Sequence, residues 1–241
     1  MTMKQDYSFT WTNNETERVE KLKCMLKGEA TDKKSHSSIN TGSGTGVSQR
    51  NQAPDLHVMI DVETLSTSED AAIVWLGAVV FTHGGEDALK NGFAFADHFT
   101  RLINIDSNLR AGRRVDGKTL KWWNKFPQLW EKIVYTPDAQ DNELRRVMND
   151  FREWLPKPCY VWSNGANFDL RLLAHCYTNS LKQNVPWLYK HERDTRTLWA
   201  MAGRDEPVRP ITHHPTWDAW AQAVAVIRAW RKLGIDGDVG T

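Results

Sequence analysis

Residues 56–62 and 71–81 are two near-continuous apolar stretches, and they leave little freedom in what this chain can build. Leu56, Val58 and Ile60 recur along the first, and Ala71-Ala-Ile-Val-Trp-Leu-Gly-Ala-Val-Val-Phe81 reads as a second, largely buried strand. The polar turn Ser66-Thr-Ser-Glu-Asp70 joins them, so an antiparallel opening is expected. Into this apolar setting the first strand places Asp61 and Glu63. Residues two apart on a strand share one face, which sets these carboxylates about 7 Å apart along the backbone. Acids so placed can bridge two hard cations held about 4 Å apart for in-line attack at phosphorus. On an ordinary strand the same triplet would simply face water, and acids beside a core need partners.

The chain has 241 residues and 40% apolar content, enough for one domain of ordinary size plus appendages. Lys and Arg total 31 against 30 for Asp and Glu, so no overall basic field announces a nucleic-acid partner, although a local basic surface is compatible with that balance. Cys24, Cys159 and Cys176 are odd in number and lack Cys-x-x-Cys spacing, which argues against a disulfide framework or structural zinc and for a reducing interior. No run approaches the roughly 20 apolar residues of a membrane span, so no membrane partner and a cytoplasmic location are expected. Twelve tryptophans are scattered from Trp11 to Trp230; burial in the core is the plain reading of each, and a stacking platform for bases the sharper one.

Thr12-Asn-Asn-Glu15 fits a capping box, and Val19, Leu22, Met25 and Leu26 then recur at helical spacing. Residues 1–32 are therefore read as a short amphipathic helix of unassigned role, 33–54 as a flexible Ser/Gly/Thr-rich linker, 55–236 as the globular domain and 237–241 as a tail. Within the domain, a third strand is expected near 92–103, helices at 117–125 and 138–155, and a short buried strand at 159–163. A helix at 168–181, a strand near 187–191, and helices at 195–202 and 216–233 complete the pattern. Strands that alternate with helices after an antiparallel opening describe a mixed-sheet α/β domain.

Two further acids stand at positions where such folds gather ligands. Asn164-Gly-Ala-Asn167-Phe168-Asp169 joins the strand at 159–163 to a helix, near a strand's carboxyl end. His213-His214-Pro215-Thr216-Trp217-Asp218 leads into the last helix, supplying a fourth acid and a base. Each acid has a purely structural alternative as a first-turn carboxylate, with Thr216 as the expected N-cap of the last helix, and either histidine could be a solvated loop residue.

Asp61, Glu63, Asp169 and Asp218, with His213 five positions before the last acid, resemble the DEDDh 3′–5′ exonuclease family, the ribonuclease T and proofreading-exonuclease superfamily. Leu76-Gly77-Ala78 in the second strand and His-x-x-x-x-Asp-Ala at 213–219 strengthen the resemblance, which spans about 56–233. Thr119-Leu-Lys-Trp122-Trp123, Trp162-Ser-Asn-Gly165 and Arg193-Asp194-Thr-Arg196-Thr197 are similar to a small bacterial and phage branch described as 3′–5′ exoribonuclease-like. Pro215-Thr216 departs from the Ala-Leu of many relatives, between the base and the acid.

The resemblance implies a ribonuclease H-like mixed sheet, antiparallel at its opening and then parallel, flanked by helices. It implies two Mg²⁺ or Mn²⁺ ions held by Asp61, Glu63, Asp169 and Asp218, with His213 as general base and His214 as a neighbour. The expected substrate is the 3′ end of single-stranded RNA or DNA, with RNA favoured by the branch and nucleoside 5′-monophosphates released. Many relatives dimerise, so a homodimer is compatible. Thr64 and Leu65 are expected to border the terminal nucleotide, and Trp122, Asn167 and Arg196 to contact substrate. The basic stretch Arg110, Arg113, Arg114 and Lys118 suits phosphates or a solvated loop equally. Arg193 and Arg196 around Asp194 suit either an ion-pair network or a place beside the site.

Two competing classes are weighed. A nucleic-acid-binding adaptor on a nuclease fold would not need intact acids. A zinc hydrolase using His213 and His214 is weakened because adjacent histidines rarely face one ion and the acids prefer hard cations.

Overall fold

The computed structural model describes residues 56–90, 92–93 and 96–235; the expected N-terminal helix, linker and C-terminal tail lie outside them. In chain order the regular elements are β1 (His57–Thr64), β2 (Ile73–Phe81), α1 (Glu86–Leu89), β3 (His98–Leu102), α2 (Ile105–Arg110), α3 (Gly117–Trp123), α4 (Pro127–Tyr135), α5 (Pro137–Asp141) and α6 (Leu144–Trp154). There follow β4 (Tyr160–Ser163), α7 (Asp169–His175), β5 (Glu192–Asp194), α8 (Thr195–Ala202) and α9 (Pro215–Leu233). The strands form one sheet in the order β3-β2-β1-β4-β5. β1, β2 and β3 run antiparallel, whereas β4 and β5 join β1 in parallel. This is the mixed, helix-flanked α/β sheet expected from the sequence.

The pleat of β1 explains how the sheet is covered. Val58, Ile60 and Val62 point to one side, into a core with Leu144, Val147 and Phe151 of α6 and Leu170 and Leu173 of α7. Met59 points to the other side, into a core with Leu198 and Trp199 of α8 and the buried side of α9 from Ala219 to Trp230. Asp61 and Glu63 continue the row begun by Met59, so they face α9 rather than water. That helix lies antiparallel to β1. The Trp230 ring lies tilted 4.9 Å from that of His57 at one end, and Gln222 bonds Asp61 nearer the other.

A third core lies beyond the C-terminal end of β1. Leu65, Trp75, Leu102, Trp123 and Ile133 pack together there, and Trp123 Nε1 donates to the carbonyl of Thr64 at 3.0 Å. Pairing between β1 and β2 slips at Glu63/Thr64, a bulge that ends the regular ladder beside the acids. Asn108, fully buried, replaces a missing strand: its Oδ1 accepts from Ile73 N and its Nδ2 donates to Ile73 O, both at 2.9 Å. Most of the described tryptophans serve these cores, including Trp75, Trp123, Trp162, Trp187, Trp199, Trp220 and Trp230.

Several local expectations need correction. The third strand is confined to His98–Leu102, the length over which β2 offers partners. The helix expected at 138–155 is two helices, because Asn142 leaves helical geometry and its carbonyl accepts from Asn104 N–H at 2.9 Å. The helix expected at 168–181 is α7 followed by one π-helical turn, Cys176–Ser180. In place of a strand at 187–191 there is a 3₁₀ turn, Tyr189–His191, with the strand displaced to Glu192–Asp194. Trp187 supplied the apolar signal, but it is buried against Tyr177 rather than paired in the sheet. Three helices, α1, α2 and α4, were not anticipated; Asn104 caps α2 through Ser107 N, and Pro127 opens α4. No helix among the described residues is long and apolar enough to cross a membrane.

Candidate active site

The four acids and His213 come from four separate parts of the fold. β1 contributes Asp61 and Glu63, the first residue of α7 contributes Asp169, and the first turn of α9 contributes Asp218. Asp169 is tied to the strand directly, since Val62 N–H donates to its Oδ1 at 3.3 Å. Gln222, one helical turn beyond Asp218, donates from Nε2 to Asp61 Oδ1 at 3.0 Å. Ligand atoms of Glu63, His213 and Asp218 all lie within 4.8 Å of one another, with His213 Nδ1 3.9 Å from Glu63 Oε1. The structure thus groups Glu63, His213 and Asp218 around one point, with Asp61 and Asp169 near enough to interact electrostatically with the other acids. Asp169 and Asp218 are only 5% and 6% exposed, which removes the alternative that they are solvated first-turn carboxylates.

The electrostatics of this cluster are severe. Burial raises the proton affinity of Asp61 well above the ordinary carboxylate range, and Asp169, Asp218 and Glu63 raise it further against the opposing bond from Gln222. Glu63 is raised by burial and then by Asp218 and Asp169. Asp169 is pushed up to about 7 by burial, against the Val62 hydrogen bond. Burial also raises Asp218, although the Arg209 guanidinium opposes the shift from 2.8 Å. Four acids this close carry more negative charge than one guanidinium offsets.

The adjacent histidines point in different directions. His213 adopts φ +59°, a left-handed conformation that costs a non-glycine residue energy and is typical of functional positions. Its ring rests edge-on against Trp122 (4.7 Å) and Phe126 (4.6 Å). Burial and then Arg209 lower its pKa, which favours the neutral imidazole over the charged one. His214 instead packs 4.3 Å from Trp75 inside the core, where burial drives its pKa down to about 3. One ion cannot be shared by both rings, which disposes of the zinc reading. His214 also occupies the N-cap position of α9, with Pro215 at N1; Thr216 is not the cap, and its Oγ1 is buried without a hydrogen-bond partner among the described residues.

Beside Glu63 opens a cleft of about 410 Å³, lined by Val62, Glu63, Thr64, Thr67, Asp116, Lys118, Thr119, Trp122 and Phe168. Thr64 and Trp122, two of the residues expected to contact substrate, are among those lining it. Leu65 is not: its side chain is buried with Trp75 and Trp123 and supports the cleft from behind. Asn167 is exposed on the turn before Phe168 and is not among the lining residues. Arg196 is exposed, with Nε 3.3 Å from Asn164 Oδ1, and its guanidinium lies over Gly165. A side chain on Gly165, whose φ is +103°, would crowd that guanidinium from 3.1 Å.

The basic stretch divides by function. Arg113 is buried and donates to Ala71 O at 2.7 Å, Arg114 pairs with Asp70 and Arg110 with Glu143; only Lys118 reaches the cleft. Arg193 lies over the Tyr160 ring at 4.1 Å and is structural. Gln222 and Arg209 were missed. Gln222 carries a readable signal, a lone amide one turn after Asp218 in an otherwise apolar helix, whereas Arg209 lies in an irregular segment with none.

The fold is thus a five-stranded mixed α/β sheet flanked by helices, with the acids converging beside the C-terminal end of β1. Residues 56–230 match the family described as 3′–5′ exoribonuclease Rv2179c-like domain, and the chain belongs to that family, a class of 3′–5′ exonuclease. Among solved structures, similarity extends to the zinc-bound form of an Escherichia coli exonuclease I complex with single-stranded DNA, at 11% identity and a TM-score of 0.48 over 75% of this chain and 41% of that one. Exonuclease I from Methylocaldum szegediense matches at 15% identity and a TM-score of 0.46, over 73% of this chain and 40% of that chain. Cell-death related nuclease 4 matches at 13% identity and a TM-score of 0.42, over 75% and 64%. The chain covers about two fifths of the length of the exonuclease I structures it matches. No curated protein matches the sequence.

Proposed function

We propose that this chain is a metal-dependent exonuclease that shortens single-stranded nucleic acid from its 3′ end and releases nucleoside 5′-monophosphates. RNA is the favoured substrate, in keeping with the exoribonuclease description of its family. The observation that carries the proposal is the cluster of Asp61, Glu63, Asp169 and Asp218, in which burial raises the proton affinity of all four, Asp169 and Asp218 raise that of Asp61 and Glu63 further, and, among the described residues, Arg209 is the one guanidinium in an ion pair with them. Oxygen-only, anionic and in excess of its counter-charge, this donor set fits hard divalent cations, and two Mg²⁺ or Mn²⁺ ions are the natural complement.

Asp61, Glu63, Asp169 and Asp218 would hold the ions, which when bound offset charge on the phosphate and make water acidic enough to supply hydroxide near neutral pH. His213 acts as general base: neutral, half-exposed and beside Glu63, it takes the proton of the attacking water. Trp122 and Phe126 hold its ring while leaving Nδ1 directed at the acids. Trp122 and Phe168 wall the cleft with aromatic surface for the terminal base, while Thr64, Thr119 and Lys118 offer hydroxyls and a cation to the sugar and phosphate. Arg196, on the Asp169 side, is placed to meet the next phosphate.

The test uses matched 5′-labelled RNA and DNA oligomers incubated with the protein in Mg²⁺, Mn²⁺ or EDTA. A ladder that shortens from the unlabelled end, only with metal and faster on RNA, is the expected result. Endonucleolytic fragments, or binding without cleavage that is indifferent to chelator, would reject the proposal, the latter in favour of an adaptor.

A further inference from the structure

The segment 203–214 between α8 and α9 contains neither helix nor strand, and it presents apolar side chains to solvent: Val208 is 94% exposed and Ile211 39%. Its last residue, His214, is buried against Trp75; before that, the segment is held by side-chain anchors, among them His213 against Trp122 and Phe126, Arg209 against Asp218 and Asp205 against Arg228. Arg209 spans two carboxylates: Nη1 donates to Asp218 Oδ1 at 2.8 Å and Nη2 pairs with Glu206 Oε2. Glu206 Oε2 also takes Arg204 at 2.8 Å, while Glu206 Oε1 is buried without a hydrogen-bond partner among the described residues.

Asp218 is thus bound by a guanidinium at the same carboxylate that groups with Glu63 and His213 around one point. A divalent ion on that carboxylate and a guanidinium on it are alternatives, because two cations at one oxygen repel and compete for its lone pairs. Displaced from Asp218, the guanidinium keeps one carboxylate, Glu206, whose second oxygen is free to accept it. It also remains beside Asp218, at the edge of the acid cluster. A planar fork of N–H donors is the group best matched to phosphate oxygens.

We propose that Arg209 trades Asp218 for a substrate phosphate: it is the counter-cation paired with Asp218, and metal binding to that carboxylate releases it to bind the terminal nucleotide's phosphate. This rests on the two-metal reading given above. It also links loading to His213, because the released segment is the one that carries the base. Loss of charge alone would also oppose the two affinities in R209Q, so R209K, which keeps the charge and loses the planar fork, is the variant that separates the trade from a bystander cation.

The trade predicts changes of opposite sign in the full-length R209Q variant. Mn²⁺ alone, titrated by calorimetry, should bind about tenfold tighter than to the parent, since the internal competitor is gone. Adenosine 5′-monophosphate, titrated into the Ca²⁺-loaded protein, should bind about tenfold more weakly, since its phosphate partner is gone. Unchanged affinities, or two changes in the same direction, would overturn the trade. R209K carries the same opposed prediction whether or not R209Q folds, because a single ammonium cannot span Glu206 and Asp218. Parent protein that binds no Mn²⁺ would defeat the metal reading itself, whereas parent protein that binds Mn²⁺ with R209Q unchanged would defeat only the role of Arg209.

Discussion

The backbone of Thr216 occupies the space where a side chain on Gly77 would be. A Cβ at Gly77 would meet Thr216 N at 2.3 Å and Pro215 C at 2.4 Å. Gly77 is the β2 partner of Asp61, so this contact lets the first turn of α9, and with it Asp218, press onto β2 directly beside the strand that carries Asp61 and Glu63. The site's geometry depends on a missing side chain on the strand next to two of the proposed ligands.

Gly77→Ala is therefore expected to push α9 outward, costing about 3 kcal/mol of stability through overpacking against backbone that cannot rotate away. Activity should fall further than stability explains, by at least about tenfold under conditions where the variant is folded. Chemical denaturation together with the oligomer assay on the same preparation measures both. An alanine variant with parental activity would show that Asp218 is not positioned by this contact.

Without metal, the protein should become less stable as pH rises. Burial raises the folded-state pKa of Asp61, Glu63, Asp169 and Asp218, so the folded chain binds protons more tightly than the unfolded one. That stability is fully present below the ordinary carboxylate values and is lost as pH climbs through the folded values, for Asp169 between 3.8 and about 7. Each such group contributes up to about 1.4 kcal/mol per pH unit in its window. Thermal melts in EDTA from pH 5 to 7.5 should show a falling midpoint, and Mn²⁺ should flatten the trend; a midpoint that rises with pH in EDTA contradicts it.

The two histidines should separate cleanly on mutation. His213→Ala, which removes a half-exposed ring, is expected to keep the fold and lower turnover by about 10²- to 10⁴-fold, the usual worth of a general base. His214→Ala empties a core position against Trp75 and should cost about 1–3 kcal/mol in stability. Circular dichroism melts and single-turnover rates distinguish the outcomes, and the reverse assignment would remove His213 from the mechanism.

A similar division is expected at the adjacent tryptophans. Trp123 is fully buried and bonds the Thr64 carbonyl, so Trp123→Ala should cost about 3–5 kcal/mol. Trp122 lines the cleft, and Trp122→Ala should instead raise KM, with about 1–3 kcal/mol of lost base stacking. Because Trp122 also holds His213, a fall in kcat should accompany it. A Trp122→Ala protein with unaltered KM would take the terminal base out of this cleft.

The sequence shows the acids because they obey simple periods: Asp61 and Glu63 continue a strand's alternation, and Asp169 and Asp218 stand at helix starts next to strong apolar patterns. The sheet and α9 were legible for the same reason. What escaped was set by contacts distant in sequence. Asn142 breaks a helical pattern because Asn104, far earlier, recruits its carbonyl. Trp187 imitates a strand while filling a hole beside Tyr177. Leu65 follows the acids directly, yet its side chain is buried with Trp75 and Trp123, just past the bulge at Glu63/Thr64. His213 and His214 cannot be told apart by type, and only the left-handed turn at His213 sends one to the acids and the other to Trp75. Arg209 belongs to no periodic pattern at all.

Counting the Mn²⁺ ions that bind to parent protein and to Asp61→Asn, by calorimetry and electron paramagnetic resonance in the presence of adenosine 5′-monophosphate, tests the central claim most directly. Two saturable ions per chain in the parent, with at least one lost on removing a single charge next to Gln222, is the outcome these carboxylates require. A parent chain that takes up no manganese, or an Asp61→Asn chain that takes up as much as the parent, would contradict it.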